Sequence, residues 1–159
     1  MTLDEWAKNV PREITHDALW RVEAYRLGLL LSDLSWHDVT KLIRDKRTLE
    51  LSSQLYEAVG SISANIAEGY SRGTGKDRAR FYAYSLGSAR ESRDWYYKGR
   101  HVLGEEISRH RFGLLAQIIR LLLTMVPEQR GRTLREEEAT YQTNDDSLAE
   151  LLQNIPLPE

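Results

Sequence analysis

Cysteine is absent from the 159 residues. That excludes a disulfide scaffold, a Cys-ligated zinc site and thiol catalysis, and it fits a reducing, cytoplasmic setting. Proline is scarce. Pro11, Pro127, Pro156 and Pro158 are all there is, so residues 12 to 126 lack the residue that breaks helices. The longest apolar runs, Leu29-Leu30-Leu31 and Leu121-Leu122-Leu123, fall far short of the roughly 20 residues of a membrane span. No basic start leads into an apolar stretch of the secretory kind. Neither sign of charge dominates: 22 Lys and Arg face 24 Asp and Glu, for a formal net charge of −2. That excludes a protein that coats nucleic acid by bulk electrostatics. Catalytic patterns are missing too. There is no Gly-x-Ser-x-Gly. Gly73-Thr74-Gly75-Lys76 lacks the leading glycine of a phosphate loop. The one Glu-x-x-His, Glu13 with His16, sits close behind Pro11 and not in mid-helix, so the ligand pattern of a di-metal bundle is not met. The expectation is a non-enzymatic chain with no cofactor, no metal, no membrane and no small-molecule substrate.

What is present has a helical period. One segment runs from about Thr15 to Leu34, with Leu19, Val22, Arg26 and Leu29 at steps of three and four. Ser35 to Arg47 reads equally as a short helix, a loop, or a continuation of the first. A second helix covers about Thr48 to Ser71 on Leu51, Leu55, Ala58, Val59, Ile62, Ile66 and Tyr70, with Thr48 as an N-cap whose hydroxyl accepts from an orphan amide. Ser71-Arg72-Gly73-Thr74-Gly75 reverses the chain. A third helix opens on Thr74, with Asp77 in a capping-box position, and runs to about Val102. Gly104 turns the chain, and Glu105 and Glu106 suit the positive end of a fourth helix that Pro127 ends. The domain reading is an N-terminal extension at 1–14, a helical bundle at 15–126 and an acidic tail at 127–159. That tail is largely flexible, with a short helix near 147–153. The tail carries a charge of −5 and the body +3.

Two features could carry chemistry. Ser61, Asn65, Glu68 and Arg72 form a polar stripe on the second helix. Ser85, Ser88, Glu91 and Ser92 face it from the third, with Gly87 allowing close approach. A hydrogen-bond network shared by the two faces would fix helix register; the other reading makes Glu68 a ligand or an acid. The second feature is basic and aromatic. Arg72, Lys76, Arg78 and Arg80 cluster at the reversal, and Arg90, Arg93, Lys98 and Arg100 follow among Trp95, Tyr96 and Tyr97. Cations contact phosphates and aromatics stack on unpaired bases. The plainer reading is a solvated face beside a core or oligomer interface, diluted by Asp77, Glu91 and Asp94.

Ser53-Gln54-Leu55, Ser61-Ile62, Asn65-Ile66-Ala67-Glu68-Gly69-Tyr70, Arg80-Phe81 and Gly87-Ser88 with Glu91 carry a resemblance over about residues 15 to 125. The chain resembles the four-helix-bundle family first recognised in proteins encoded by intervening sequences of bacterial 23S rRNA genes. The accessory variability protein of diversity-generating retroelements is similar. The resemblance implies an all-α, antiparallel up-down-up-down four-helix bundle, a homo-oligomer with a pentamer favoured, and no enzymatic activity. For the retroelement relative it implies binding to RNA or DNA and to a reverse transcriptase through basic surface. Asn65, Glu68 and Gly69 match the family motif, with Ser88 and Glu91 in its later part, as structural polar positions. Ser63 stands where the family often has proline. The function expected is a helical scaffold or adaptor that contacts nucleic acid or a nucleic-acid enzyme. The alternative is a protein-interaction module whose acidic tail docks a partner through Leu148, Leu151, Leu152 and Ile155 or folds back on the basic face.

Overall fold

Apolar residues recurring at steps of three and four give each long segment one face to bury. The computed structural model describes residues 1–130 and 145–159, all helix and connecting turn with no strand among them. Two short helices lead, α1 (Leu3–Ala7) and α2 (Arg12–Thr15), and a 3-10 turn follows at Ala18–Arg21. Four long helices come next: α3 (Glu23–Leu42), α4 (Leu49–Tyr70), α5 (Gly75–Leu103) and α6 (Glu105–Arg130). A last helix, α7, covers Asp145–Gln153. Among the described residues no helix is long and apolar enough to cross a membrane.

Each long helix turns one row inward: Leu27, Leu31 and Leu34 from α3, Leu55, Ile62 and Ile66 from α4, Leu114, Ile118 and Leu122 from α6. The inward row of α5 is made of smaller residues, Ala79, Ser85, Ala89 and Ser92, interrupted by Tyr82 and Tyr96. Consecutive long helices pack on one another. In the α4–α5 pair the Ser85 hydroxyl donates to the Ile62 carbonyl at 2.8 Å, while Gly69 lies against Phe81 and Tyr82. A Cβ on Gly69 would come within 2.9 Å of Phe81 Cβ and the Tyr82 ring, so this approach requires glycine. In the α5–α6 pair Gly75 lies against the Gln129 backbone at one end, and Gly104 joins the helices at the other. Gly104 has φ of 92°, a left-handed backbone natural to glycine. Helix α3 also packs on α6. The N-terminal extension is tied to this assembly: Trp6 is buried, its indole donates to the Asp33 carboxylate at 2.6 Å, and it stacks on Trp20.

Several boundaries differ from the sequence reading. The first long helix starts at Glu23 and not at Thr15, because Asp17 takes an extended backbone and its carboxylate accepts from the Leu19 amide, which opens a 3-10 turn. Its far end settles the ambiguous segment, since the helix continues to Leu42. Thr48 precedes α4 as expected, yet it does not cap it. Its backbone is not extended, and its hydroxyl donates to the Leu42 carbonyl at 2.6 Å, closing α3. Thr74 does accept from the Asp77 amide, at 3.2 Å. Pro127 does not stop the fourth helix, which runs to Arg130. A proline costs a helix one amide bond; here its ring is buried, and that packing offsets the loss. Residues 131–144 of the expected flexible tail lie outside the described residues.

Candidate functional site

Helix α5 and the turn before it position the basic side chains found in the sequence, and five of the eight lie against aromatic rings. At the start of α5 the Arg72 guanidinium lies 4.5 Å and that of Arg80 5.4 Å from the centre of the Phe81 ring. Arg78 stands over Tyr70 at 5.9 Å, and its Nε donates to the Arg72 carbonyl at 2.9 Å. Lys76 is exposed beside them. Near the other end Lys98 lies 4.3 Å from the Trp95 ring and Arg100 3.8 Å from that of Tyr97, while Arg90 and Arg93 are half-buried between the clusters. Arg80 and Arg100 are roughly 30 Å apart along the helix at 1.5 Å per residue. Six of the eight cations therefore form two groups at the ends of α5, with Arg90 and Arg93 between them. Acids answer several of them: Glu68 pairs with Arg72 at 2.6 Å, Asp77 with Arg80 at 3.7 Å and Asp94 with Lys98 at 2.6 Å. Exposed pairs of this kind are worth little and are screened by salt.

Of the polar residues expected to form a network between α4 and α5, Ser85 reaches across to the Ile62 carbonyl, while the others described bond elsewhere. Ser61 donates to Glu57 O, Asn65 to Ser61 O and Ser92 to Ser88 O, each within its own helix. Glu91 accepts from the Trp95 indole at 3.2 Å, and Glu68 is engaged by Arg72 on the surface. Side chains this short reach the carbonyl one turn back more easily than a neighbouring helix. Gly87 is exposed with open space around it, and the close approach falls at Gly69 instead.

The strongest polar arrangement was missed by the sequence reading. Asp38 of α3 and Arg111 of α6 form a fully buried ion pair. Arg111 Nε donates to Asp38 Oδ2 at 2.8 Å and Nη2 to Oδ1 at 3.0 Å, a two-pronged contact. The Tyr96 hydroxyl of α5 donates to Oδ2 at 2.8 Å. Burial and the adjacent carboxylate push the Tyr96 phenol well above its ordinary pKa, so it stays a donor. Arg111 Nη1 lies 2.8 Å from His110 Nδ1, and His110 Nε2 lies 2.9 Å from the Leu151 carbonyl. Arginine can only donate and a carbonyl can only accept, so His110 is neutral with its proton on Nε2. Burial, then the Arg111 charge, lower its pKa from 6.5 to about 4. Arg111 Nη2 also donates to the Pro156 carbonyl at 3.0 Å. This cluster ties three long helices and the C-terminal segment together.

The tail residues proposed for docking are used within the chain. Leu151 and Leu152 pack on the core, Ile155 is buried in it, and the segment sits on the start of α6, not on the basic face. Exposed apolar side chains lie elsewhere: Trp36 is 61% exposed and meets Tyr56 edge-on at 6.3 Å, with Ile43 and Leu49 also exposed on α3 and α4 or the turn between them. Trp20 and Trp95 are half-buried.

Residues 21–123 match the family model described as 23S rRNA-intervening sequence protein. No curated protein and no solved structure matches the chain.

Proposed function

The chain belongs to the 23S rRNA-intervening sequence protein family, and from that premise we propose that it is a non-catalytic helical scaffold that binds single-stranded RNA through the start of α5. The four long helices serve as an antiparallel up-down-up-down bundle. Copies associate through the exposed Trp36–Tyr56 face into a homo-oligomer, a pentamer by family resemblance. A nucleic-acid enzyme such as a retroelement reverse transcriptase is a fitting partner for such an assembly. The observation that carries the RNA reading is the pair of guanidiniums, Arg72 and Arg80, at one Phe81 ring with Lys76 exposed beside them. Arginine held by an aromatic keeps its charge while losing little side-chain freedom on binding, and unpaired bases stack on the same kinds of surface.

The test is fluorescence anisotropy with a short single-stranded RNA across a salt series. The Arg78 bond to the Arg72 carbonyl supports the reversal, so the informative variant spares both residues: Lys76→Gln with Arg80→Gln. Losing two phosphate contacts lowers the slope of log affinity against log salt by roughly 1.4, and affinity falls about tenfold at low salt. Unchanged affinity and slope in a variant of native helicity refute this surface.

A further inference from the structure

The C-terminal segment rests on the bundle as a ligand rests on a receptor. Its main chain is held at three points: the Leu151 carbonyl on His110, the Pro156 carbonyl on Arg111, and the Ile155 amide, which donates to the Met1 carbonyl at 3.2 Å. Its apolar anchors are Leu151, Leu152 and Ile155, spaced i, i+1 and i+4. Gly113 makes room for the first, since a Cβ there would stand 2.7 Å from Leu151 Cδ1. These contacts read main chain and apolar side chains, and so they favour a shape: a short amphipathic helix running into Ile-Pro. The family match ends at residue 123, so His110, Arg111 and Gly113 lie inside the family unit and the segment lies outside it.

The segment's charge suits this wall poorly. Glu105, Glu106 and Arg109 from α6 and Glu150 from the segment line one open groove of about 620 Å³. Arg109 is already paired with Glu105. With that pair neutralised, Glu106 of α6 and Glu150 of the segment are the acids left in the groove, so the acidic helix shares it with an uncompensated carboxylate and a basic one would be attracted to it. We propose that this face of α6 is a docking site for a basic amphipathic helix of another protein, carrying Leu-Leu-x-x-Ile-Pro or its apolar equivalent, and that residues 145–159 are a weaker resident occupant which that helix displaces.

Because the chain has no cysteine, Asn154→Cys gives a single attachment point for an environment-sensitive dye at the groove. The labelled full chain is titrated with a synthetic peptide of residues 145–159 and with the same peptide carrying Glu150→Lys. A tethered segment competes at an effective concentration on the order of millimolar. A second measurement therefore uses the full chain carrying Leu151→Asp and Ile155→Asp, whose own segment cannot dock, with fluorescently labelled peptides and anisotropy. The expected result is saturable binding of both peptides to this variant and much weaker binding to the unsubstituted chain. The Glu150→Lys peptide binds about threefold tighter at low salt, and the advantage disappears near 1 M salt. Four results overturn the proposal. The double variant loses its helical signal, which makes the segment an integral part of the core. The folded double variant binds neither peptide. The two peptides bind equally at every salt concentration. Dilution of the labelled chain alone shifts the dye signal, which makes a second copy's segment the occupant.

Discussion

At the scale of single residues, Asp38 and Arg111 carry the largest stakes. Neither side chain meets solvent, so removing one leaves the other charged, buried and unpaired. Asp38→Ala is expected to destabilise the fold by about 3–5 kcal/mol in chemical denaturation, whereas Asp38→Leu with Arg111→Met recovers most of that loss. Equal damage from the double substitution would show that the pair does more than neutralise itself. His110 gives a pH prediction with a definite sign. Its folded pKa is lowered from 6.5 to about 4, so between those values the unfolded chain binds a proton that the folded chain does not. Stability is complete above about 6.5 and falls as pH drops toward 4, and His110→Gln flattens that slope in melts taken across the range. The signal for the cluster was present in the sequence. Asp38 continues the row of Leu27, Leu31 and Leu34, and Arg111 sits between Ile107 and Leu114 at the same helical steps. Two opposite charges on two inward rows are legible as misfits. That they cancel each other is not legible, because the partners are 73 residues apart and only the packing of α3 on α6 brings them together.

At the scale of helices, local chemistry and sequence agreed where the local signal was complete. Thr74 with Asp77 marked the start of α5, and the Thr74 hydroxyl does accept from the Asp77 amide. Thr74→Ala is expected to cost about 1 kcal/mol, measured as a shift of the unfolding midpoint. The bodies of α4, α5 and α6 were readable from their apolar rows alone. The misses lie where tertiary contacts override local preference. Thr48 turns its hydroxyl back to Leu42, and buried Pro127 rides inside a helix that a proline was expected to end. The polar motif of α4 was legible as a stripe, yet its short side chains found carbonyls on their own helix first. The basic residues of α5 were all visible in the sequence. The gathering of some of them into two groups on separate rings came from the spacing of Phe81, Trp95 and Tyr97 along one helix.

At the scale of the whole molecule, the near-zero net charge joins parts of unlike character, a positive body and a negative tail. The proposed assembly places its seam at Trp36 and Tyr56, which are 61% and 46% exposed. Light scattering after size exclusion is expected to give a mass several times 18.4 kDa, and Trp36→Ser with Tyr56→Ser is expected to return a monomer of unchanged helicity, because interface aromatics contribute to association and not to the chain's own core. A monomer before substitution at micromolar concentration removes the seam. The all-helical class was open to reading from the lack of proline between residues 12 and 126 and the period of the apolar residues. The resting place of the C-terminal segment was not, since it depends on the space over Gly113 and on two donors that the rest of the bundle holds in place.

The one-residue link at Gly104 also bears on how fast this chain can find its shape. Helices α5 and α6 meet along their length after closing the shortest loop in the long-helix set, so their pairing costs little chain entropy and suits the first committed event of folding. The Asp38–Arg111 pair spans 73 residues and closes only after α3 has returned to α6. A kinetic experiment would therefore find substitutions along the α5–α6 seam slowing the folding limb, while those at Asp38 speed unfolding and leave the folding limb nearly unchanged.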